Sequence, residues 1–178
     1  MPTRTPENRK DEFAMALRKI LTRGDAALEK TCRPVEKFDR KLRWLLDDLK
    51  ETLEDAGGVG LAAPQVGILR RVVVVVDAEE QMIELVNPVI IHQEGEQEGW
   101  EGCLSVPGMY GRVTRPNLVT VRAQDRKGHF FEVSGEEMVA RCFCHDLEHL
   151  DGHLFVEHTD RLYTVEELDA METEGEKS

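Results

Sequence analysis

Two histidines and one cysteine in this chain have the types and spacing of ligands for a single divalent metal ion. His145 and His149 stand four residues apart in the run H-D-L-E-H, so on a helix both side chains would point to one face. Cys103 lies in the earlier run E-G-C-L-S, and its thiolate would supply a third ligand. Three protein ligands leave one coordination position open, which is typical of a catalytic metal and indicates a metallohydrolase. His153 continues the histidine spacing, but Gly152 predicts that the helix ends before it.

The composition is that of a soluble globular protein. The chain has 178 residues, which is long enough to bury a core without disulfides, so we expect one domain. Its net charge of -12 argues against direct nucleic-acid binding, which needs a basic face to neutralise phosphates. The sequence has no apolar run of the roughly 18 residues that a membrane span requires and no signal-peptide pattern. We therefore expect a cytoplasmic protein with reduced cysteines and no membrane partner.

Several strands followed by a helix that carries the histidine pair predict an α+β fold. Apolar residues recur at helical spacing before Gly57, and they predict a first helix over residues 38–53. Runs rich in β-branched residues predict strands, with an interruption at Asn87-Pro88. These strands cover residues 71–76, 82–86, 89–92, 118–123 and 130–133.

The second helix would carry the histidine pair. It is predicted to begin near Ser134, with Glu137 in capping-box position. Met138 and Cys142 share the face of the two histidines, so they would place an apolar lining beside the metal. The alternative is that this stripe is ordinary core, since helical apolar stripes usually are.

Asp146 and Glu148 are the two candidates for a general base on this helix. In H-E-x-x-H metallohydrolases the acid after the first histidine takes a proton from the attacking water. Here an aspartate occupies that position and a glutamate follows two residues later. The two acids project about 80° to either side of the histidine pair, so helical geometry leaves the choice open. Either could instead be solvated or could orient a ligand histidine.

The run G-V-G-L-A-A-P-Q at residues 58–65 has the properties of a peptide-binding edge. Gly58 and Gly60 allow a ligand backbone to approach closely and leave main-chain groups free for strand-like pairing. The run lacks the lysine of a phosphate-binding loop.

Taken together, the three runs G-V-G-L-A-A-P-Q, E-G-C-L-S and H-D-L-E-H-L-D-G resemble the three motifs of the peptide deformylase family. The resemblance covers nearly all of the chain from Met15 to about Tyr163. It implies an α+β fold, a compact single domain whose antiparallel strands pack around a central metal-binding helix. It implies Fe(II) held by the predicted ligand trio, with zinc, nickel or cobalt as substitutes. The implied substrates are nascent peptides that begin with N-formylmethionine, and the products are formate and a free amino terminus.

The resemblance also assigns roles around the metal. Gln65 and the backbone N–H of Leu104 would hold the formyl oxygen and stabilise the developing oxyanion. Asp146 would be the base. The peptide-binding edge and the methionine pocket would be formed by Gly58, Val59, Gly60, Met138 and Cys142.

This chain departs from the family pattern at two places. Asp146 replaces the usual glutamate, which withdraws the carboxylate by about 1.5 Å, the length of one C–C bond. A misplacement near 1 Å can cost on the order of a hundredfold in rate, so we expect an active but slowed enzyme. After Leu162 the chain has one basic residue, Lys177, and six acidic residues. A ribosome contact would therefore not use a basic C-terminal helix. The family expectation is a monomer.

The expected organisation is a leader at residues 1–14, a catalytic domain at 15–164, and an acidic helix over 165–171 within the tail 165–178. Met1 and Met15 are alternative starts. Two other functions compete with an active deformylase. A deformylase-like binding protein would hold formyl-peptides with little turnover, and a zincin-type peptidase would cleave internal peptide bonds. The cysteine ligand and Gln65 make the zincin the weakest of the three.

Overall fold

Three α-helices and eight strands are present in the part of the chain that the computed structural model describes, residues 16–176. The helices are α1 (Arg40–Ala56), α2 (Met138–His149) and α3 (Val165–Glu176). The strands are β1 (Gly60–Ala62), β2 (Val72–Val76), β3 (Met82–Glu94), β4 (Gln97–Cys103), β5 (Val106–Arg115), β6 (Leu118–Gln124), β7 (Phe130–Glu136) and β8 (Tyr163–Thr164).

A five-stranded antiparallel sheet lies between α1 and α2. Its strand order is β1-β2-β3-β6-β7. The valine run of β2 is buried on both faces: Val72 and Val74 pack with the leucines of α1, while Val73 and Val75 pack with α2. The predicted α+β class with a central helix is confirmed.

Helix α1 confirms the predicted first helix. The side chain of Asp39 caps its start by accepting a hydrogen bond from the backbone N–H of Leu42 at 3.2 Å. Gly57 ends it with a φ of 68°, which favours glycine. The stripe facing the sheet is formed by Leu42, Leu45, Leu46, Leu49 and Leu53.

Helix α2 begins later than the sequence predicted. The prediction of a start at Ser134 with a capping box is wrong, because Ser134 belongs to β7 and its hydroxyl pairs with that of Thr120 on β6 at 2.7 Å. Strand β7 alternates exposed and half-buried residues up to Glu136, so pairing with β6 continues to that point. Glu137 then turns the chain with a φ of 52° and makes no side-chain cap.

A second, three-stranded sheet has the order β4-β5-β8 and was not predicted. Its first strand is rich in glycine and glutamate and has few of the β-branched residues that mark a strand. This strand ends at Cys103, so the unpredicted sheet carries one predicted ligand.

The C-terminal helix α3 runs to Glu176, which is longer than predicted. The expected leader at residues 1–14 lies outside the described residues. Within residues 16–176, no helix is long and apolar enough to cross a membrane.

Candidate active site

The structure brings the three predicted ligands together between the end of β4 and helix α2. The donor atoms of Cys103, His145 and His149 all lie within 4.8 Å of one another. His149 Nε2 is 3.4 Å from Cys103 Sγ, and the backbone N–H of Ser105 donates to the same sulfur at 3.4 Å. A thiolate with two imidazoles on one helix face suits a tetrahedral or similar divalent metal site, so the donor set fits a metal.

A buried carboxylate that sequence reasoning missed holds one of these ligands in place. Glu101 Oε2 lies 2.7 Å from His145 Nδ1, which leaves Nε2 of that ring for a metal. Arg115 forms two hydrogen bonds to Glu101, at 2.7 and 3.1 Å, and Arg141 forms a third at 3.0 Å. Burial alone would raise the pKa of Glu101, but hydrogen bonds from His145 and Arg115 hold it at about 2. The carboxylate is therefore ionised and fixes the ring of His145.

A periodicity signal for Glu101 was present in the sequence. It precedes Cys103 by two residues on one strand, and alternate strand residues share a face. Because β4 was not predicted, the shared face of Glu101 and Cys103 was not recognised. Arg115 and Arg141 come from β5 and α2, and no local pattern links them to Glu101.

The two histidines differ in protonation before a metal binds. Burial and, to a smaller extent, the nearby charge of His145 lower the pKa of His149 to about 3. Burial acts in the same direction on His145, but hydrogen bonds with Cys103 and Glu101 outweigh it and raise its pKa to about 10. Metal binding at this group therefore releases protons.

The two acids on α2 face different surroundings. Asp146 is buried, lines the pocket beside the ligand trio, and accepts a hydrogen bond from Cys142 Sγ at 3.0 Å. Burial raises the pKa of Asp146 to about 6. Glu148 points to the other side, where it pairs with Arg115 at 2.7 Å and His158 at 2.9 Å. Only Asp146 of the two faces the pocket.

Gln65 is held with its amide N–H groups toward the ligand trio. Its Oε1 accepts from the backbone N–H of Ala62 at 2.9 Å, which fixes the orientation of the amide. Its Nε2 donates to Ser105 Oγ at 3.0 Å and lies 3.6 Å from Cys103 Sγ. The side chain is fully buried and lines the pocket, so it is positioned as a hydrogen-bond donor.

A pocket of about 470 Å³ opens over this centre and contains every other predicted site residue. Its lining includes Gly58, Val59, Gly60, Leu104, Met138 and Cys142.

The structure gives a reason for a glycine at position 60 that the sequence did not show. A Cβ at this position would overlap Asp146 Oδ2 and lie 2.6 Å from Cys142 Sγ, so the missing side chain makes room for the acid. Cys142 is buried and belongs to the core as well as the pocket, whereas Met138 is exposed. Cys142 therefore fits both alternatives for the helical stripe, since it lines the pocket and is also part of the core.

The remaining histidines lie outside the centre, and each pairs with a carboxylate. These pairs are His92 with Glu94, His129 with Asp125, His153 with Glu157 and His158 with Glu148.

Comparisons with known proteins give one consistent result. The model of the family described as Polypeptide deformylase matches residues 17–164. A peptide deformylase of Agathobacter rectalis is 54% identical over 146 residues, which is 82% of this chain and 92% of that protein. The crystal structure of a peptide deformylase from Legionella pneumophila is similar with a TM-score of 0.77 at 41% identity, over 92% of this chain and 99% of that one. A Met-Ala-Ser-bound crystal structure of a class I type b peptide deformylase from Acinetobacter baumannii gives 0.76 at 32% identity, over 80% and 98% of the chains.

Proposed function

Because this chain belongs to the peptide deformylase family, it is a metal-dependent hydrolase that removes the formyl group from N-formylmethionine of nascent polypeptides, and we propose that the site described above performs this reaction. The observation that carries the proposal is the grouping of a cysteine, two histidines, a buried acid and a fixed amide around one pocket. The comparisons favour this function over a formyl-peptide-binding protein without turnover.

The ligands in this proposal are Cys103, His145 and His149, and the metal is Fe(II), with zinc, nickel or cobalt as substitutes. When bound, the metal polarises the formyl carbonyl and makes water a nucleophile near neutral pH. Glu101 keeps His145 in the orientation that this ligand set needs.

Gln65 and the backbone N–H of Leu104 donate to the formyl oxygen as negative charge develops on it. The fixed amide of Gln65 does not have to reorient during the reaction, which is what makes such donors effective. Leu104 follows Cys103 directly, so its N–H belongs to the same turn as the proposed ligand.

Asp146 acts as the general base and then as the general acid. It accepts the proton of the attacking water and later delivers it to the leaving amine. Its burial supports this role, because a carboxylate whose pKa is raised to about 6 can both take and return a proton near neutral pH.

The peptide pairs with the segment that leads into β1, and the methionine side chain enters the apolar part of the pocket. Strand β1 is the first in its sheet order, so among residues 16–176 one of its sides has no strand partner in that sheet. Val59, Met138 and Cys142 line the pocket for the side chain. The Met-Ala-Ser bound to the relative from Acinetobacter baumannii supports a methionine-first peptide as ligand.

The setting of the enzyme is also proposed. It acts in the cytoplasm as a monomer on formylmethionyl nascent chains. A contact with the ribosome would not use helix α3. Its first turn carries Glu166 and Glu167, and its last turn within the described residues has no basic residue.

Formate release from a formyl-Met-Ala-Ser peptide by anaerobically Fe(II)-loaded protein tests the proposal. We expect the natural chain to turn over, and Asp146→Asn to lower kcat/KM by at least about a hundredfold, because the base is lost. Asp146→Glu should raise kcat/KM by about tenfold to a hundredfold by restoring the missing methylene.

Glu148→Gln is the matched comparison, since it removes the charge of the other acid of the same helix, which faces Arg115 and not the pocket, and it should lower activity far less than Asp146→Asn. If it abolished turnover while Asp146→Asn did not, the base would be Glu148. Turnover by the Asp146→Glu variant alone would make the natural chain a binding protein. If none of the proteins released formate although the metal was bound, the proposal would be rejected.

A further inference from the structure

One oxygen of the Asp146 carboxylate is confined by β1 and by a cysteine of α2. Asp146 is buried, and a Cβ at Gly60, the first residue of β1, would overlap its Oδ2. Cys142 Sγ lies 3.0 Å from the same oxygen. Cys142 precedes Asp146 by four residues on the helix, so the two side chains share one face of it. The position of Oδ2 is therefore set by a backbone and by a thiol.

The thiol of Cys142 is the donor in this contact. Burial raises the pKa of Cys142 well above its ordinary value, so the sulfur keeps its proton. The carbonyl of Val59, 3.3 Å from the sulfur, is a second acceptor within reach. That carbonyl already accepts the N–H of Val76 at 2.8 Å, and a carboxylate attracts a donor more strongly than a neutral carbonyl does. The thiol proton is therefore directed to Asp146.

The second oxygen of the carboxylate is left for proton transfer. Within residues 16–176, Cys142 is the one group that donates a hydrogen bond to the side chain of Asp146. Asp146 lines the same pocket as Cys103 and His145. Because the two oxygens belong to one planar group, a contact that fixes Oδ2 also fixes the direction of Oδ1.

The short side chain at position 146 makes such a restraint more important. An aspartate holds its carboxylate about 1.5 Å nearer to the helix than a glutamate would. A misplacement of about 1 Å at a reacting group can cost on the order of a hundredfold in rate. A carboxylate at the limit of its reach serves the attacking water in few of its rotamers. A hydrogen bond that selects one rotamer then raises the fraction of molecules that are ready to react.

We propose that Cys142 is a positioning residue for the general base, its thiol holding Oδ2 of Asp146 so that Oδ1 accepts the proton of the attacking water. The inference rests on the proposed function, in which Asp146 is the base. It gives Cys142 a second role beside its place in the methionine pocket. The pocket contact acts on substrate binding, whereas the positioning contact acts on the rate of the chemical step.

Formate release from formyl-Met-Ala-Ser by Fe(II)-loaded protein separates these two roles. Cys142→Ala loses both the donor and an apolar contact, so we expect kcat to fall by about tenfold and KM to rise. Cys142→Ser keeps a donor but not the apolar contact, so it should restore most of kcat while KM stays raised. Cys144→Ala is the matched control and should leave both constants near wild type. Cys144 is a buried cysteine of the same helix that does not line the pocket.

The Asp146→Glu background distinguishes positioning from packing. In that variant the carboxylate lies about 1.5 Å further along its side chain, away from the thiol. Cys142→Ala should then lower kcat by less than about twofold, because the base no longer depends on the donor. A packing defect would lower kcat by the same factor in both backgrounds, since independent effects add in free energy. Equal factors would overturn the proposal.

Infrared spectroscopy tests the hydrogen bond without metal or turnover. The S–H stretching band of Cys142 is the one that Cys142→Ala removes from the spectrum of the metal-free protein. We expect this band to move to higher frequency in Asp146→Asn, because a neutral amide is a weaker acceptor than a carboxylate. An unchanged band would mean that the proton is donated to Val59, and the proposal would be wrong.

Two kinetic results would also contradict the proposal. One is a kcat of Cys142→Ala equal to that of Cys144→Ala, and the other is a loss of kcat that Cys142→Ser does not restore. A wild type that releases no formate with the metal bound would instead reject the proposed function, and the positioning role with it. The S–H band would in that case still report whether the hydrogen bond exists.

Discussion

At the scale of single residues, the site depends on a charged group that does not face substrate. Glu101 is buried and receives hydrogen bonds from Arg115, Arg141 and His145. Two arginines and one carboxylate leave a net positive charge, and Glu148 on Arg115 offsets it. The two arginines and the two carboxylates balance one another only while all four are ionised, and Glu101 links the orientation of His145 to the stability of the core.

Glu101→Gln is therefore predicted to weaken metal binding and folding together. The amide keeps the shape but removes the negative charge, so we expect metal affinity to fall by about tenfold to a hundredfold. The free energy of unfolding should fall by about 3 kcal/mol, because buried arginines lose their counter-charge. Chelator competition and urea unfolding measure the two effects. Glu98→Gln on the same strand is the control, since Glu98 pairs with exposed Arg112 and should change both quantities little.

The grouping of the three proposed ligands, with Asp146 beside them, could be predicted from sequence, whereas the residues that support them could not. His145 and His149 are related by helical spacing, which is local, and Cys103 was marked by its motif. Arg115 reaches Glu101 from another strand through the fold. Such a contact depends on how two strands pair, and nothing in the residues around either partner specifies it.

At the scale of elements, one asparagine shapes the central strand. The sequence predicted an interruption at Asn87-Pro88, but β3 continues through it with a shift of register against β6. Asn87 takes a φ of 50°, and its side chain bonds to both backbone groups of Val35 and to Gln124. The Asn87-Pro88 sequence, which predicted the end of a strand, instead forms a bulge within β3. Asparagine can adopt the left-handed conformation, and its side-chain hydrogen bonds replace the lost hydrogen bonds between the strands.

Asn87→Ala is predicted to lower the free energy of unfolding by about 3 kcal/mol. The side-chain hydrogen bonds are lost and alanine must adopt a positive φ. Asn87→Gly loses the bonds but accepts the backbone angle, so it should fall between alanine and the wild type. Urea unfolding of the three proteins checks the order, and equal stability of the alanine and glycine variants would mean that the backbone angle contributes nothing.

Elements with strong local patterns were predictable, and elements stabilised by pairing were not. Helix α1 has a leucine stripe, an aspartate cap and a terminal glycine, all within its own sequence. Strands β4 and β5 have no comparable pattern and exist because they pair with each other over seven residue pairs. The start of α2 was misplaced because Ser134 and Glu137 fit a cap as well as a strand end.

At the scale of the whole molecule, a charged cluster joins segments that are distant in sequence. Arg126, in the turn between β6 and β7, pairs with Glu84 of β3 and with Asp47 of α1. Lys50 of α1 pairs with the same glutamate at 3.3 Å. The cluster connects the sheet and the first helix, and none of its residues lines the pocket at the proposed metal site.

The cluster predicts an acid-dependent loss of stability. Burial alone would raise the pKa of Glu84, but the hydrogen bonds and charges of Arg126 and Lys50 hold it below its ordinary value of 4.5. A carboxylate with a lowered pKa stabilises the fold above its ordinary pKa, and this contribution is lost as the pH falls through the lowered value. Glu84→Gln should therefore cost about 1 kcal/mol at pH 7, and the difference from wild type should shrink below pH 4.5. Urea unfolding at several pH values tests this, with exposed Glu79→Gln as a variant expected to show no such trend.

The burial of the cysteines has a practical consequence for preparations of the enzyme. Cys32, Cys142 and Cys144 are buried, and burial raises their pKa values, whereas Cys103 is half-exposed. An alkylating reagent applied to the folded protein should therefore mark Cys103 first, and a metal on that sulfur would shield it. The fraction of molecules labelled, measured by mass spectrometry, then gives the fraction of sites without metal. This distinguishes an enzyme that is slow from one that is only partly loaded with metal.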